Sequence, residues 1–156
     1  METRFAVKRN PIICVTGTPG CGKTVYAKKI ARTYHLTYVP LHDILRQEKL
    51  YVSYDKTMKS YVYDERAVEK FLTGLIRAAR TLKQGLVIDG HLSHYISSKY
   101  IDQCIVIKCD VKTLQRRLKK RNYSQQKIRE NLDAEILDVC LVEAKERGHH
   151  VKIVYS

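Results

Sequence analysis

The segment Gly17-Thr18-Pro19-Gly20-Cys21-Gly22-Lys23-Thr24 constrains this chain more than any other. It meets every fixed position of G-x-x-x-x-G-K-S/T, the pattern of a loop that wraps a phosphate. An apolar run, Ile12-Ile13-Cys14-Val15, precedes it, and Ala27, Ile30, Ala31 and Tyr34 follow it at helical spacing. A strand, a glycine-rich turn and a helix start in that order define an anion site. Glycines let backbone N–H groups turn inward on the phosphate, and the helix start adds about half a positive charge. The spacing predicts Lys23 on the β- and γ-phosphates and the Thr24 hydroxyl on Mg²⁺. Gly17, Gly20, Cys21 and Gly22 form the cradle. Cys21 reads either as a thiol activated by the helix start, prone to oxidation, or as one more small residue in the loop.

The rest of the chain alternates between two periodicities. Tyr38-Val39, Leu86-Val87-Ile88, Cys104-Ile105-Val106-Ile107 and Val151-Lys152-Ile153-Val154 read as further strands. Val68, Phe71, Leu72, Leu75, Ile76 and Ala79 form a helical stripe behind a candidate N-cap, Asp64. Val111, Leu114 and Leu118 mark a basic helix, and Ile128, Leu132, Ile136, Val139 and Cys140 mark one long helix after it. Residues 41–63 are polar and irregular. Five strands alternating with helices predict an α/β fold with a parallel sheet and right-handed crossovers. At 156 residues, with three prolines and seven glycines, the chain reads as one domain over residues 1–156.

Charge narrows the partners. Lys plus Arg number 29 and Asp plus Glu 16, a net charge of +13. That excess suits a polyanion (a nucleotide, an RNA or both) or serves solubility alone. The five cysteines include no Cys-x-x-Cys pair. Cys14, Cys104 and Cys140 sit in apolar runs and read as reduced core residues. Histidines and cysteines never fall at zinc-ligand spacing, so no zinc site is expected. Met1-Glu2-Thr3-Arg4 leads into charge rather than an apolar leader, and no run approaches the ~20 apolar residues of a membrane span. A cytoplasmic location and no membrane partner are expected.

A phosphate loop of this kind needs a carboxylate at the end of a neighbouring strand. Asp89 follows Leu86-Val87-Ile88 and is the candidate, reaching Mg²⁺ through water. His91 and His94 follow it and are expected near the γ-phosphate, although a histidine in such a turn can also simply bond the backbone. Arg117 and Arg121 stand at i, i+4 on the basic helix, where two guanidinium groups would suit a transferring phosphoryl group. Arg116, Lys119 and Lys120 fall elsewhere on it. In the polar segment, Arg46 suits an acceptor phosphate and Asp43 a base or ribose. Tyr51, Tyr54 and Tyr61 either stack on a base or pack the segment.

Three stretches taken together resemble the adenylate kinase isoenzyme 6 family: Val15–Thr24; Val87-Ile88-Asp89-Gly90-His91-Leu92-Ser93-His94; and Arg117 through Arg121-Asn122-Tyr123 to Asn131 and Glu135. The likeness runs over residues 11–155 and is greatest toward archaeal members. It implies a P-loop, nucleoside-monophosphate-kinase-like fold, with a small acceptor flap at about residues 40–63 and a short lid at about 120–130. It implies ATP and Mg as cofactors and AMP or another nucleoside monophosphate as acceptor. Gly20, Gly22, Lys23 and Thr24 would hold ATP phosphates, Asp89 and His91 would be the catalytic-turn pair, and Arg121 the lid arginine. It further implies ATPase activity and a link to small-subunit rRNA maturation through a ribosomal protein, either beside kinase turnover or as the main role of an ATP-driven assembly factor. Val25 stands where many members carry a second hydroxyl near the α-phosphate. Members also carry an adenine-contacting loop and helix beyond the position of Ser156, so the base is expected to rest on backbone and on Arg121.

Overall fold

A computed structural model describes residues 8–156; the reading of Met1–Arg4 lies outside the described residues. Its centre is a parallel sheet in the order β2-β5-β1-β6-β7. The strands are β1 Ile12–Thr16, β2 Thr37–Pro40, β5 Leu86–Asp89, β6 Gln103–Lys108 and β7 Val151–Tyr155. These are the five strands that the apolar runs predict. β1 pairs with β5 on one side (Val15 opposite Asp89) and with β6 on the other (Cys14 opposite Cys104). Its five residues are all buried, because both faces of the sheet are covered.

On one face, α1 (Lys23–Tyr34), α4 (Val111–Lys120) and α5 (Gln125–Ile136) pack on Ile13, Val15, Val87, Ile105 and Ile107. On the other, α2 (Leu41–Gln47) and α3 (Glu65–Thr81) pack on Ile12, Val39 and Ile88. α6 (Val139–Glu146) covers Cys14, Cys104 and Val106 on that second side. α3 starts where its sequence predicts: the Asp64 side chain accepts from the Arg66 N–H. Its stripe of Val68, Leu72 and Ile76 is fully buried, each burial contributing about 1.5–3 kcal/mol.

Two expectations are revised. The single long helix after residue 125 is two helices. The chain breaks at Asp138, which adopts a left-handed φ of 54°, while Lys108 ion-pairs with Glu135 and Asp138 across the break. The segment 41–63, irregular in its pattern, carries the helix start expected at Pro40–Asp43 as α2, and what the pattern did not show is the antiparallel hairpin after it, β3 (Tyr51–Asp55) and β4 (Ser60–Tyr63). Its tyrosines pack on one another, Tyr61 lying 4.6 Å from Tyr51 and 5.0 Å from Tyr54 between ring centres.

Candidate active site

The carboxyl ends of β1, β2 and β5 open into a cleft of about 720 Å³, the place where open α/β sheets bind ligands. The phosphate loop forms its floor. Gly17 adopts φ +142°, and a Cβ there would sit 2.4 Å from the Ile107 carbonyl oxygen, so only glycine fits. Lys23 Nζ donates to the loop's own Thr18 carbonyl at 3.2 Å. Burial lowers the pKa of its ammonium group. Such a cation gains from an anion in the loop, which restores the solvation it has lost.

Thr24 and Asp89 are brought together. Thr24 Oγ1 donates to Asp89 Oδ2 at 2.8 Å, and the Tyr38 hydroxyl donates to the same oxygen at 2.6 Å. Burial, then the bond to Asp89, pushes the Tyr38 pKa up, so the phenol stays a donor. A hydroxyl and a carboxylate at the mouth of a phosphate loop are hard oxygen ligands, few in number. That set fits Mg²⁺, which keeps several waters and takes the rest of its shell from phosphates.

His91 lines the cleft, and its ring stacks on His42 with centroids 4.2 Å apart and planes 14° apart. Burial, then His42 and Lys23, depresses the His91 pKa well below its usual value. Burial and then Lys23 lower His42 to about 4. Both rings are therefore neutral at pH 7 and act as hydrogen-bonding groups rather than cations. His42 Nε2 is buried without a partner.

The α4–α5 turn supplies the opposite wall. α4 ends at Lys120, Arg121 caps it, Asn122 takes a left-handed φ of 56°, and the Ser124 side chain accepts from Lys127 N–H to start α5. This turn puts Arg121, Tyr123, Lys127 and Asn131 on the cleft. Arg117 goes elsewhere: its Nη1 donates to the Gly20 carbonyl at 3.3 Å and to Ser156 Oγ at 3.1 Å. Arg121 N–H still bonds the Arg117 carbonyl at 3.3 Å, so the two residues share the last helical turn, yet Arg121 lines the cleft and Arg117 reaches Gly20 and Ser156.

In the flap, Asp43 lines the cleft, while Arg46 is exposed and pairs with Asp43 at 3.4 Å. Val25 is 78% exposed. His94 does not reach the cleft. A 3₁₀ turn at Ser93–Tyr95 carries it inward, where it is fully buried between Thr16 Oγ1 (2.7 Å) and Glu143 Oε2 (2.7 Å). The activated-thiol reading of Cys21 is also corrected. The side chain is fully buried, 3.1 Å from Cys109 Sγ, and burial drives its pKa far up, overriding the helix start.

Sequence reasoning missed Tyr38, His42 and a buried carboxylate, Glu135, that braces the loop. Glu135 Oε2 accepts from Thr18 Oγ1 at 2.7 Å, and Oε1 accepts from Cys109 N–H at 3.2 Å and pairs with Lys108 at 3.0 Å. The available signal was its place on the apolar stripe of α5, with Ile128 and Leu132. An acid there must find buried partners.

A phosphate-wrapping loop, a paired Thr and Asp, a flap and an arginine-bearing turn on this sheet order define the nucleotide-kinase class of P-loop proteins. A family model described as an AAA domain matches residues 13–138. An adenylate kinase isoenzyme 6 homolog of Schizosaccharomyces pombe is 38% identical over 136 residues, covering 87% of this chain and 75% of its own. One from Dictyostelium discoideum is 37% identical over 141 residues, covering 89% and 77%. A relative in Methanocaldococcus jannaschii is 37% identical over 139 residues, covering 89% and 75%. Shikimate kinase from Bacteroides thetaiotaomicron shares the fold, with a TM-score of 0.52 at 13% identity, covering 93% of this chain and 86% of that one. The chain belongs to the adenylate kinase isoenzyme 6 family. Among the described residues, no helix is long and apolar enough to cross a membrane.

Proposed function

We propose that this protein transfers the γ-phosphoryl group of ATP to AMP, or to another nucleoside monophosphate, and hydrolyses ATP when no acceptor is bound. The observation that carries this reading is the convergence of Lys23, Thr24, Asp89 and His91 on one cleft walled by a flap and by Arg121. An oxygen of the acceptor phosphate attacks the γ-phosphorus, the bond to the β,γ-bridging oxygen breaks, and ADP leaves. The acceptor oxygen is already ionised, so no side chain is needed as a strong base. Lys23 stabilises charge on the β- and γ-oxygens. Backbone N–H groups of residues 17–24 hold the phosphates, and Arg121 completes the charge clamp when the turn closes. Thr24 and Asp89 would hold Mg²⁺, Asp89 through a water, and the ion would supply neutralisation of the triphosphate charge. Arg117 acts on the loop through Gly20. Asp43, with Arg46 beside it, marks the acceptor side.

Neutral His91 orients the attacking oxygen. A water molecule depends on that orientation, whereas a nucleotide is also held by the flap. His91→Ala is therefore expected to lower phosphate release from ATP alone more than ADP formation from ATP plus AMP. Equal losses in the two initial rates would leave His91 as a turn-shaping residue and remove its role in the chemistry.

A second reading couples ATP turnover to small ribosomal subunit assembly, through rRNA and a ribosomal protein. It is favoured by a basic face outside the cleft, where Lys112, Arg116, Lys119 and Lys120 line an exposed groove on α4. Affinity for a small-subunit RNA fragment should then fall steeply with salt, with a log–log slope of about −0.7 per phosphate contact on a single strand. A flat response would leave the +13 charge to solubility.

A further inference from the structure

Away from the cleft, under α6, three soft ligand groups meet inside the core. Cys14 of β1 and Cys104 of β6 are register partners on adjacent parallel strands, so their side chains leave the same face. His149, in the turn between α6 and β7, joins them. A ring nitrogen of His149 and the two Sγ atoms all lie within 4.8 Å of one another. The cysteines are 0% exposed and the histidine 7%. Phosphoryl transfer uses none of the three.

The state of the imidazole is a second, independent observation. His149 Nε2 lies 2.7 Å from the His94 carbonyl oxygen. A carbonyl only accepts, so Nε2 carries the proton and Nδ1 carries a lone pair. Nδ1 is buried and has no hydrogen-bond partner. Buried polar atoms are rarely left this way. A ring with one N–H held on a backbone carbonyl, its Nδ1 without a hydrogen-bond partner and a ring nitrogen within 4.8 Å of two thiol sulfurs is arranged as metal-binding histidines are. The carbonyl itself is a fixed point, because Thr16 and Glu143 clamp the His94 ring.

We propose that Cys14, Cys104 and His149 form a buried site for a thiophilic divalent metal ion, of which zinc is the best fit. Two thiolates and a neutral imidazole carry −2, which Zn²⁺ cancels. A monovalent copper ion would leave a net charge in a dry core, where an uncompensated charge is costly. Tetrahedral Zn–S bonds of about 2.3 Å and Zn–N bonds of about 2.0–2.1 Å put ligand atoms about 3.5–3.8 Å apart. From the 4.8 Å envelope the ligand atoms would draw in by about 1 Å on loading. On loading, two S–H protons pass to solvent as two Zn–S bonds form, and no electron changes hands. The ion would tie β1, β6 and the start of β7 together. Through His149 and His94 it would also brace Thr16, at the root of the phosphate loop. No sequence spacing announces the site, since its ligands stand at 14, 104 and 149.

The test uses the full chain, stripped with a chelator and titrated with Zn²⁺ against a chromophoric competitor, and separately with Co²⁺. One equivalent should bind per chain, cobalt should give thiolate charge-transfer absorption, and Zn²⁺ should raise Tm. Cys104→Ala and His149→Gln, checked for native circular dichroism, should each lose more than about a hundredfold in affinity, since losing even an outer-shell partner costs about 10–100-fold, while Cys140→Ala should bind as wild type does. The cobalt spectrum of the wild type needs no variant, so a misfolded variant does not decide the matter. Absence of stoichiometric Zn²⁺ binding, a cobalt spectrum without the thiolate band, or unchanged affinity in folded Cys104→Ala would overturn the site. Stoichiometric uptake of Cu⁺ with no uptake of Zn²⁺ would overturn the charge argument and the assignment to zinc.

Discussion

Glu135→Ala removes a carboxylate that three groups share: Thr18 Oγ1, the Cys109 N–H and the Lys108 ammonium. The side chain is 5% exposed and that of Lys108 is 15% exposed, so water does not replace what is lost. Deleting one partner of a buried ion pair costs about 3–5 kcal/mol. Lys108 keeps Asp138 and the backbone carbonyl of residue 135, which places this case at the lower end, near 3 kcal/mol. For a chain of this size that is a fall in Tm of about 6–12 °C. Glu135→Gln keeps the shape and an acceptor for Cys109 N–H, and should lose only about 1 kcal/mol. The assay is urea unfolding of wild type and both variants, followed by circular dichroism. Because Thr18 belongs to the phosphate loop, ATP affinity measured well below both melting points should also fall in Glu135→Ala. A stability loss under about 1 kcal/mol, with ATP binding unchanged, would refute the view that this carboxylate holds the loop in shape.

Lys23→Ala should abolish ADP formation and ATP hydrolysis together while leaving the fold intact, checked by both rates and circular dichroism; near-normal turnover would remove the phosphate-loop assignment. If the turn closes over ATP as proposed, Arg121→Ala should slow turnover per bound ATP more than it weakens ATP binding, because a contact made only on closure acts on the transition state; a tenfold binding loss with unchanged turnover would contradict this. His42 has its pKa lowered from 6.5 to about 4, so between those values the unfolded chain binds a proton that the folded chain does not. Its contribution is complete above pH 6.5 and is lost as pH falls toward 4, to a total of about 3 kcal/mol. His91 acts in the same direction. Stability measured from pH 7.5 to 4.5 should fall less steeply for His42→Gln than for wild type.

Local patterns sufficed for the sheet and the loop. A phosphate cradle depends on consecutive backbone, so Gly17–Thr24 announces itself, and strands buried on both faces appear as apolar runs. Asp89 was legible for the same reason, as the residue where such a run stops. Other parts of the site depend on contacts that no spacing encodes. Tyr38 meets Asp89 because β2 lies beside β5, 51 residues away in sequence. His42, at the start of α2, stacks on His91, 49 residues on, because β2 and β5 lie side by side and both lead into the cleft. Helical spacing put Arg117 and Arg121 on one face, yet Arg117 is drawn to the Gly20 carbonyl and Ser156 while Arg121 lines the cleft. Cys21 shows the competition most plainly. Its place at a helix start predicts a lowered pKa, and the core closing over it raises the pKa instead, because desolvation acts through every surrounding atom whereas the helix field acts only at its end.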